Sequence, residues 1–106
     1  MAFMDQPGEA SDGFLQALAE VVKACEAASD EIRAVTDPHL AYEHATRLLE
    51  EMQGQRGKAA QVRAEQVARI WKAEELSLAQ LAGRIGVSKA RAEQFVREAG
   101  KAQEDQ

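Results

Sequence analysis

The stretch from residue 76 to residue 97 constrains the fold more than any other part of the chain. Two short apolar patterns with helical spacing flank Gly86, where the chain must reverse and a residue that tolerates positive φ is favoured. Ser77 and Ser88 each precede one pattern and can cap a helix. The apolar residues of the two inner faces are Leu78, Leu81, Ala82, Ile85, Val87, Ala92, Phe95 and Val96. The sequence therefore predicts two short helices that cross at a wide angle about a tight turn.

This stretch resembles the helix-turn-helix motif of bacterial DNA-binding proteins, and it is most similar to region 4 of sigma factors. The residues that carry the resemblance are Leu81, Ala82, Ile85, Gly86, Val87, Ala92 and Phe95. The longer stretch from Asp37 to the motif also resembles small helix-turn-helix proteins of actinobacteria. The resemblance implies that a helix from Lys89 to Ala99 binds in the major groove of DNA.

The resemblance also implies particular contacts with DNA. Carried over by position, the residues that contact base edges are Lys89, Ala90, Arg91, Glu93 and Gln94. The residues expected to contact phosphates are Ser77, Arg84, Ser88, Arg97 and Lys58. Because an acid at Glu93 lowers the affinity for any DNA sequence, selective binding is favoured over non-specific coating of DNA.

An apolar seam dominates the front half of the chain. Its members follow alternating steps of four and three residues and are Phe14, Leu18, Val21, Cys25, Ala28, Ile32 and Val35. The spacing predicts a helix over about 13–36, which Ser11 or Asp12 can cap, after a disordered lead-in at 1–12. Two interpretations stay open, an intramolecular hairpin with the next helix and a coiled-coil homodimer. In the homodimer the interface residues are Phe14, Leu18, Val21, Cys25, Ile32 and Val35.

A second helix is predicted from about 38 to 53. Asp37 can cap it, and Pro38 suits its first position because proline lacks an N–H and has its φ preset. Gly54 and Gly57 indicate a stop or a hinge, followed by a third helix over about 58–74 that carries Trp71 toward the core. The alternative is that the third helix continues the second with a kink.

The formal net charge of −5 conceals an uneven distribution. Residues 1–54 carry three Lys and Arg against eleven Asp and Glu, whereas residues 55–101 carry ten against five. An acidic tail follows at 102–106. This asymmetry predicts an acidic helical interaction region at 13–54 and a basic DNA-binding region at 55–101.

Composition and missing motifs exclude other classes of protein. Aromatic residues make up only 5% of the chain and β-branched runs are absent, which favours an all-α fold. The sequence has no catalytic triad, phosphate-binding glycine loop or paired-cysteine motif, so we expect no enzyme activity and no cofactor. His39 and His44 lack a third ligand nearby, so we expect no metal site.

The expected location is the cytoplasm. Cys25 is the only cysteine and cannot form an intramolecular disulfide, and neither a signal peptide nor a membrane span is recognisable. The sequence thus favours a DNA-binding homodimer that regulates transcription. The alternatives are an interaction protein that binds RNA polymerase, a sigma factor or an anti-sigma factor through the acidic residues 14–53, and an accessory DNA protein of a phage or plasmid.

Overall fold

The structure, a computed structural model, describes residues 11–104 and the side chains of residues 11–101. The described residues form four α-helices and no strand, which confirms the all-α prediction. The helices are α1 (Asp12–Arg33), α2 (Pro38–Ala73), α3 (Leu78–Ile85) and α4 (Lys89–Glu104). Most of the predicted lead-in, residues 1–10, and the last two residues of the predicted tail lie outside the described residues.

Helix α1 is shorter than the sequence predicts at its C-terminal end. The Ser11 hydroxyl accepts a hydrogen bond from the Phe14 N–H at 3.2 Å, so Ser11 is the residue that caps the start of α1. Asp12, predicted to belong to the lead-in, is already helical. The helix ends at Arg33, and the predicted end at residue 36 is wrong. Val35, the last member of the apolar seam, therefore lies beyond the helix.

Helix α2 runs unbroken from Pro38 to Ala73. Its start confirms the predicted cap, because the His39 N–H donates to Asp37 Oδ1 at 3.0 Å. The predicted stop at Gly54 or Gly57 is wrong, and the alternative of one continuing helix is the one observed. A glycine inside a helix costs only about 1 kcal/mol relative to alanine. Strong helix formers on either side of both glycines outweigh that cost.

The end of α2 forms a Schellman turn around a residue other than glycine. The Leu76 N–H donates to the Trp71 carbonyl at 3.2 Å, and the Glu75 N–H donates to the Lys72 carbonyl at 3.3 Å. Glu75 has a φ of 52°, in the left-handed region that this turn requires. The turn satisfies two carbonyls that the helix leaves unpaired and directs the chain toward α3.

The described chain divides into two units between Glu50 and Glu51. The first unit contains α1 and the start of α2, and no residue of α1 is buried in it. Its half-buried apolar residues are Cys25, Ala28, Ile32, Val35, Ala41, Ala45 and Leu48. The earlier turns of α1 are more open, because Phe14 is 55% exposed and Val21 is 59% exposed. The first half of the apolar seam therefore has no cover within the described chain.

The second unit holds the hydrophobic core. Helices α3 and α4 pack against each other, and α2 contributes Ala64 and Val67 to the same cluster. The other buried members are Leu81, Ala82, Ala92, Phe95 and Ala99. Trp71, predicted to lie in the core, is half-buried and packs against this cluster without being one of its buried members. The small alanines allow the three helices to approach closely around one large leucine and one phenylalanine.

The C-terminal helix is longer than the predicted Lys89–Ala99. It continues to Glu104, so the first part of the predicted acidic tail is helical. None of the four described helices combines the length and the apolarity that crossing a lipid bilayer requires.

Candidate functional site

The start of α3 is fixed by a reciprocal capping box. The Ser77 hydroxyl accepts from the Gln80 N–H at 3.2 Å, and Gln80 Oε1 accepts from the Ser77 N–H at 2.9 Å. Two backbone donors at the helix start are thereby satisfied. The predicted capping role of Ser77 is confirmed, and the box holds α3 in register with the turn that precedes it.

The turn between α3 and α4 depends on Gly86. Its φ of 76° confirms the predicted left-handed conformation, and its N–H donates to the Ala82 carbonyl at 2.9 Å. The Val87 N–H donates to the same carbonyl at 3.0 Å. Ser88 then caps α4 as predicted, because its hydroxyl accepts from the Arg91 N–H at 3.1 Å. Only three residues separate the two helices, so their relative orientation is closely constrained.

Helix α4 has one packed face and one open face. Ala92, Phe95 and Ala99 are buried on the packed face. The residues on the open face are Lys89, Ala90, Glu93, Gln94, Arg97 and Lys101, and all of them are exposed. Four of the five residues predicted to contact bases belong to this open face, and they occupy its first two turns.

Arg91, the fifth predicted base contact, lies elsewhere. It is half-buried, and its guanidinium carbon stands 4.2 Å from the centroid of the Phe95 ring. One of its nitrogens donates to Gln94 Oε1 at 2.9 Å. Arg63 of α2 approaches the same ring at 5.2 Å. Sequence reasoning missed this placement, although the four-residue spacing from Arg91 to Phe95 puts both on one helical face.

Two ion pairs involve residues predicted to contact DNA. Arg97 pairs with Glu93 at 3.1 Å along α4, and Arg84 of α3 pairs with Glu74 at 2.7 Å. All four side chains are substantially exposed, so water and salt screen both pairs. Each arginine can therefore leave its carboxylate for a phosphate at little cost.

The remaining predicted phosphate contacts are spread over several elements. Ser77 and Ser88 use their hydroxyl oxygens as caps, and a hydroxyl that accepts in this way still carries its own proton as a donor. Lys58 is exposed on α2, outside the paired helices α3 and α4.

The residues predicted to form the dimer interface differ in their exposure. Cys25, Ile32 and Val35 are half-buried, whereas Phe14, Leu18 and Val21 are exposed.

The open face of α4 offers several kinds of hydrogen-bonding group. Lys89 and Arg97 are donors, Glu93 is an acceptor, and Gln94 is both. Such a set on one protruding helical face suits the recognition of a surface with a mixed donor and acceptor pattern.

Comparisons with known proteins provide no relative for this chain. No family model, no curated protein and no solved structure matches it.

Proposed function

We propose that this protein binds DNA in a sequence-specific manner through a helix-turn-helix formed by α3 and α4. The observation that carries this proposal is the open face of α4, which stands opposite a buried face and directly follows a three-residue turn at Gly86. A helix presented in this way fits the major groove of B-DNA. The basic balance of residues 55–101 supports the same function, since phosphate contacts supply much of the affinity for DNA.

The side chains divide into two kinds of contact. Lys89, Ala90, Glu93 and Gln94 lie on the first turns of α4 and are the candidates for base edges. Arg91 is held over Phe95, so we assign it a supporting role at the edge of this surface. The candidates for phosphate contacts are Ser77, Arg84, Ser88, Arg97 and Lys58.

A homodimer makes this kind of binding specific enough to regulate transcription. One motif contacts only a few base pairs, whereas two motifs read half-sites about one helical turn apart. The exposed apolar residues Phe14, Leu18 and Val21 support a contact between copies at the start of α1. The half-buried residues farther along support the intramolecular hairpin at the other end. We therefore propose the contact between copies for the first half of the seam and the intramolecular hairpin for the second half.

The test is selection of binding sites from a random duplex pool, followed by fluorescence anisotropy at several salt concentrations. Gln94→Ala is expected to weaken binding to the selected site by about 1–3 kcal/mol, roughly 5- to 150-fold, and to leave binding to random DNA unchanged. Gln66→Ala is the matched control, because Gln66 is also an exposed glutamine that hydrogen-bonds an arginine, but it lies on α2. Equal effects of the two substitutions would contradict recognition by α4.

Glu74→Gln tests the phosphate contacts separately. It releases Arg84 from its ion pair, so binding to every DNA sequence is expected to strengthen and the salt dependence to steepen. Lys58→Ala is expected to weaken binding to all sequences alike. The absence of any salt-dependent binding to duplex DNA would exclude the proposed function.

The dimer is tested by sedimentation. Leu18→Asp places a charge on the exposed seam and is expected to yield a monomer that binds the selected site more weakly. Ala27→Asp introduces the same charge at an exposed position on the opposite side of α1 and is expected to change neither property.

The second candidate function is binding to another protein through the acidic residues 14–53. The uncovered apolar residues at the start of α1 favour it, because exposed apolar patches mark protein contacts. RNA polymerase, a sigma factor or an anti-sigma factor are the candidate partners, and a phage or plasmid accessory role is compatible with the DNA-binding function. Under this alternative, Leu18→Asp abolishes function, whereas substitutions on the open face of α4 do not.

A further inference from the structure

A groove in the second unit lies between α2 and α4, beside the open face of α4. It has a volume of about 390 Å³ and is lined by Arg56, Ala59, Ala60 and Arg63 of α2 together with Arg91 and Glu98 of α4. Three of its six lining residues are arginines and one is an acid. Its volume falls within the range of sites for small ligands.

The groove arginines differ in their partners from three other arginines of the chain. Arg33, Arg84 and Arg97 each pair with a carboxylate. Among the described side chains, neither Arg56 nor Arg63 nor Arg91 forms such a pair, although Glu98 lines the same groove. The groove is therefore lined by three arginines and a single acid, an excess of positive charge that a bound anion compensates.

Two of the three guanidinium groups are held in place before any ligand arrives. Arg91 and Arg63 stand 4.2 and 5.2 Å from the centroid of the Phe95 ring, and that ring is only 5% exposed and belongs to the core. The Gln61 side chain donates to the Glu98 carbonyl at 3.3 Å and joins α2 to α4 beside the groove. Contact with this packed ring restricts the rotamers of Arg63 and Arg91, so a ligand loses less affinity to their immobilisation.

We propose that the groove formed by Arg56, Arg63 and Arg91 binds a phosphate group. A planar guanidinium offers two parallel N–H donors, which match the oxygens of a phosphate. The Glu98 carboxylate at the same groove accepts hydrogen bonds and favours a phosphate whose carrier has a hydroxyl or amino group nearby. A free phosphorylated molecule and the backbone of a nucleic acid present the same chemistry and are distinguished by the experiment.

The first arm of the test titrates inorganic phosphate into the full chain and follows the arginine side-chain resonances by NMR. The Nε–H signals of Arg56, Arg63 and Arg91 are expected to shift together, and those of Arg33 and Arg69 are not. Arg56→Gln and Arg63→Gln are each expected to weaken phosphate binding about tenfold, the loss of roughly one charge-assisted hydrogen bond.

Arg69→Gln is the matched control, because Arg69 lies exposed on α2 and hydrogen-bonds Gln66 outside the groove. Arg56→Gln keeps the test independent of folding, since Arg56 is exposed and makes no contact with the Phe95 ring. Shifts spread evenly over all arginines, or an equal loss in Arg69→Gln, would overturn the assignment of phosphate to the groove.

The second arm titrates a random duplex into the same variants. If Arg56→Gln weakens duplex binding and lowers its salt slope by about one, the phosphate belongs to a nucleic acid backbone. If duplex binding is unchanged while phosphate binding is lost, the ligand is a free phosphorylated molecule. If neither phosphate nor duplex binding responds to Arg56→Gln, the groove is not a phosphate site. The phosphate arm gives this answer even if the chain binds no DNA.

Discussion

Replacing Gly86 with alanine isolates the energetic contribution of the turn between α3 and α4. Gly86 has a φ of 76° and a ψ of 37°, a conformation that costs a residue with a Cβ about 1–2 kcal/mol. Alanine also restricts the unfolded chain, which offsets about 0.4–1 kcal/mol. An added Cβ meets no atom within 4 Å, so crowding contributes nothing. We therefore expect Gly86→Ala to lower the free energy of unfolding by about 1 kcal/mol.

The matched control is Gly83→Ala, three residues earlier and inside α3. An added Cβ is equally unobstructed there, but the position is an ordinary helical one. Alanine in place of glycine inside a helix is worth about 1 kcal/mol, so Gly83→Ala is expected to stabilise the protein. The same chemical change thus has opposite signs at two nearby positions, and only the backbone conformation distinguishes them.

Urea denaturation followed by far-ultraviolet circular dichroism measures both effects. The midpoint is expected to fall for Gly86→Ala and to rise for Gly83→Ala, with the slope of the transition unchanged. In thermal unfolding, 1 kcal/mol corresponds to a change in Tm of about 4–8 °C for a domain of this size. Midpoints that move in the same direction for both variants would refute the left-handed turn as the source of the difference.

Two further substitutions test the turn after α2 and the core of the second unit, and a third is a control for the core. Glu75→Gly removes the side chain that disfavours a φ of 52°. The free energy of unfolding, measured by chemical denaturation, is therefore expected to rise by about 1 kcal/mol. A loss of stability would contradict the Schellman turn. Leu81 is 0% exposed, so Leu81→Ala leaves a cavity in the core and is expected to lower the free energy of unfolding by about 2–5 kcal/mol. Leu49 is 60% exposed, so Leu49→Ala is expected to change the free energy of unfolding by less than about 0.5 kcal/mol. Similar losses for the two leucine variants would be incompatible with the core as described.

Helix starts and the Gly86 turn were predictable because each depends on a few neighbouring residues. Ser11, Asp37, Ser77 and Ser88 all cap helices as expected, since a short polar side chain can reach the free N–H groups two or three residues ahead. The left-handed turn at Gly86 follows from the same local logic.

Features that depend on a balance of several small free-energy contributions were not predictable in the same way. Gly54 and Gly57 each weaken α2 by about 1 kcal/mol, and whether a helix stops there depends on all of its other residues. The left-handed Glu75 gives no signal in the sequence, because its side chain is disfavoured in that conformation and the surrounding turn imposes it.

The candidate site was predicted in outline and changed in one important detail. The exposed residues of α4 follow from helical periodicity, which places Lys89, Glu93 and Arg97 along one open face. The same periodicity puts Arg91 beside Phe95, but the groove it shares with Arg56 and Arg63 needs the packing of α2 against α4. No local pattern encodes that juxtaposition.

The two fluorescent residues of the chain belong to different units. Tyr42, the only tyrosine, lies in α2 before the boundary at Glu50, and Trp71, the only tryptophan, lies after it. Fluorescence excited at the red edge of tryptophan absorption therefore reports the unfolding of the second unit only, while circular dichroism reports the unfolding of both units. Helix α2 runs through both units. If the unfolding transitions measured by fluorescence and by circular dichroism coincide, this helix unfolds as one cooperative block. If the two transitions differ, the helix frays from one end. The wild-type chain thus carries its own probe of cooperativity, with no label and no added aromatic residue.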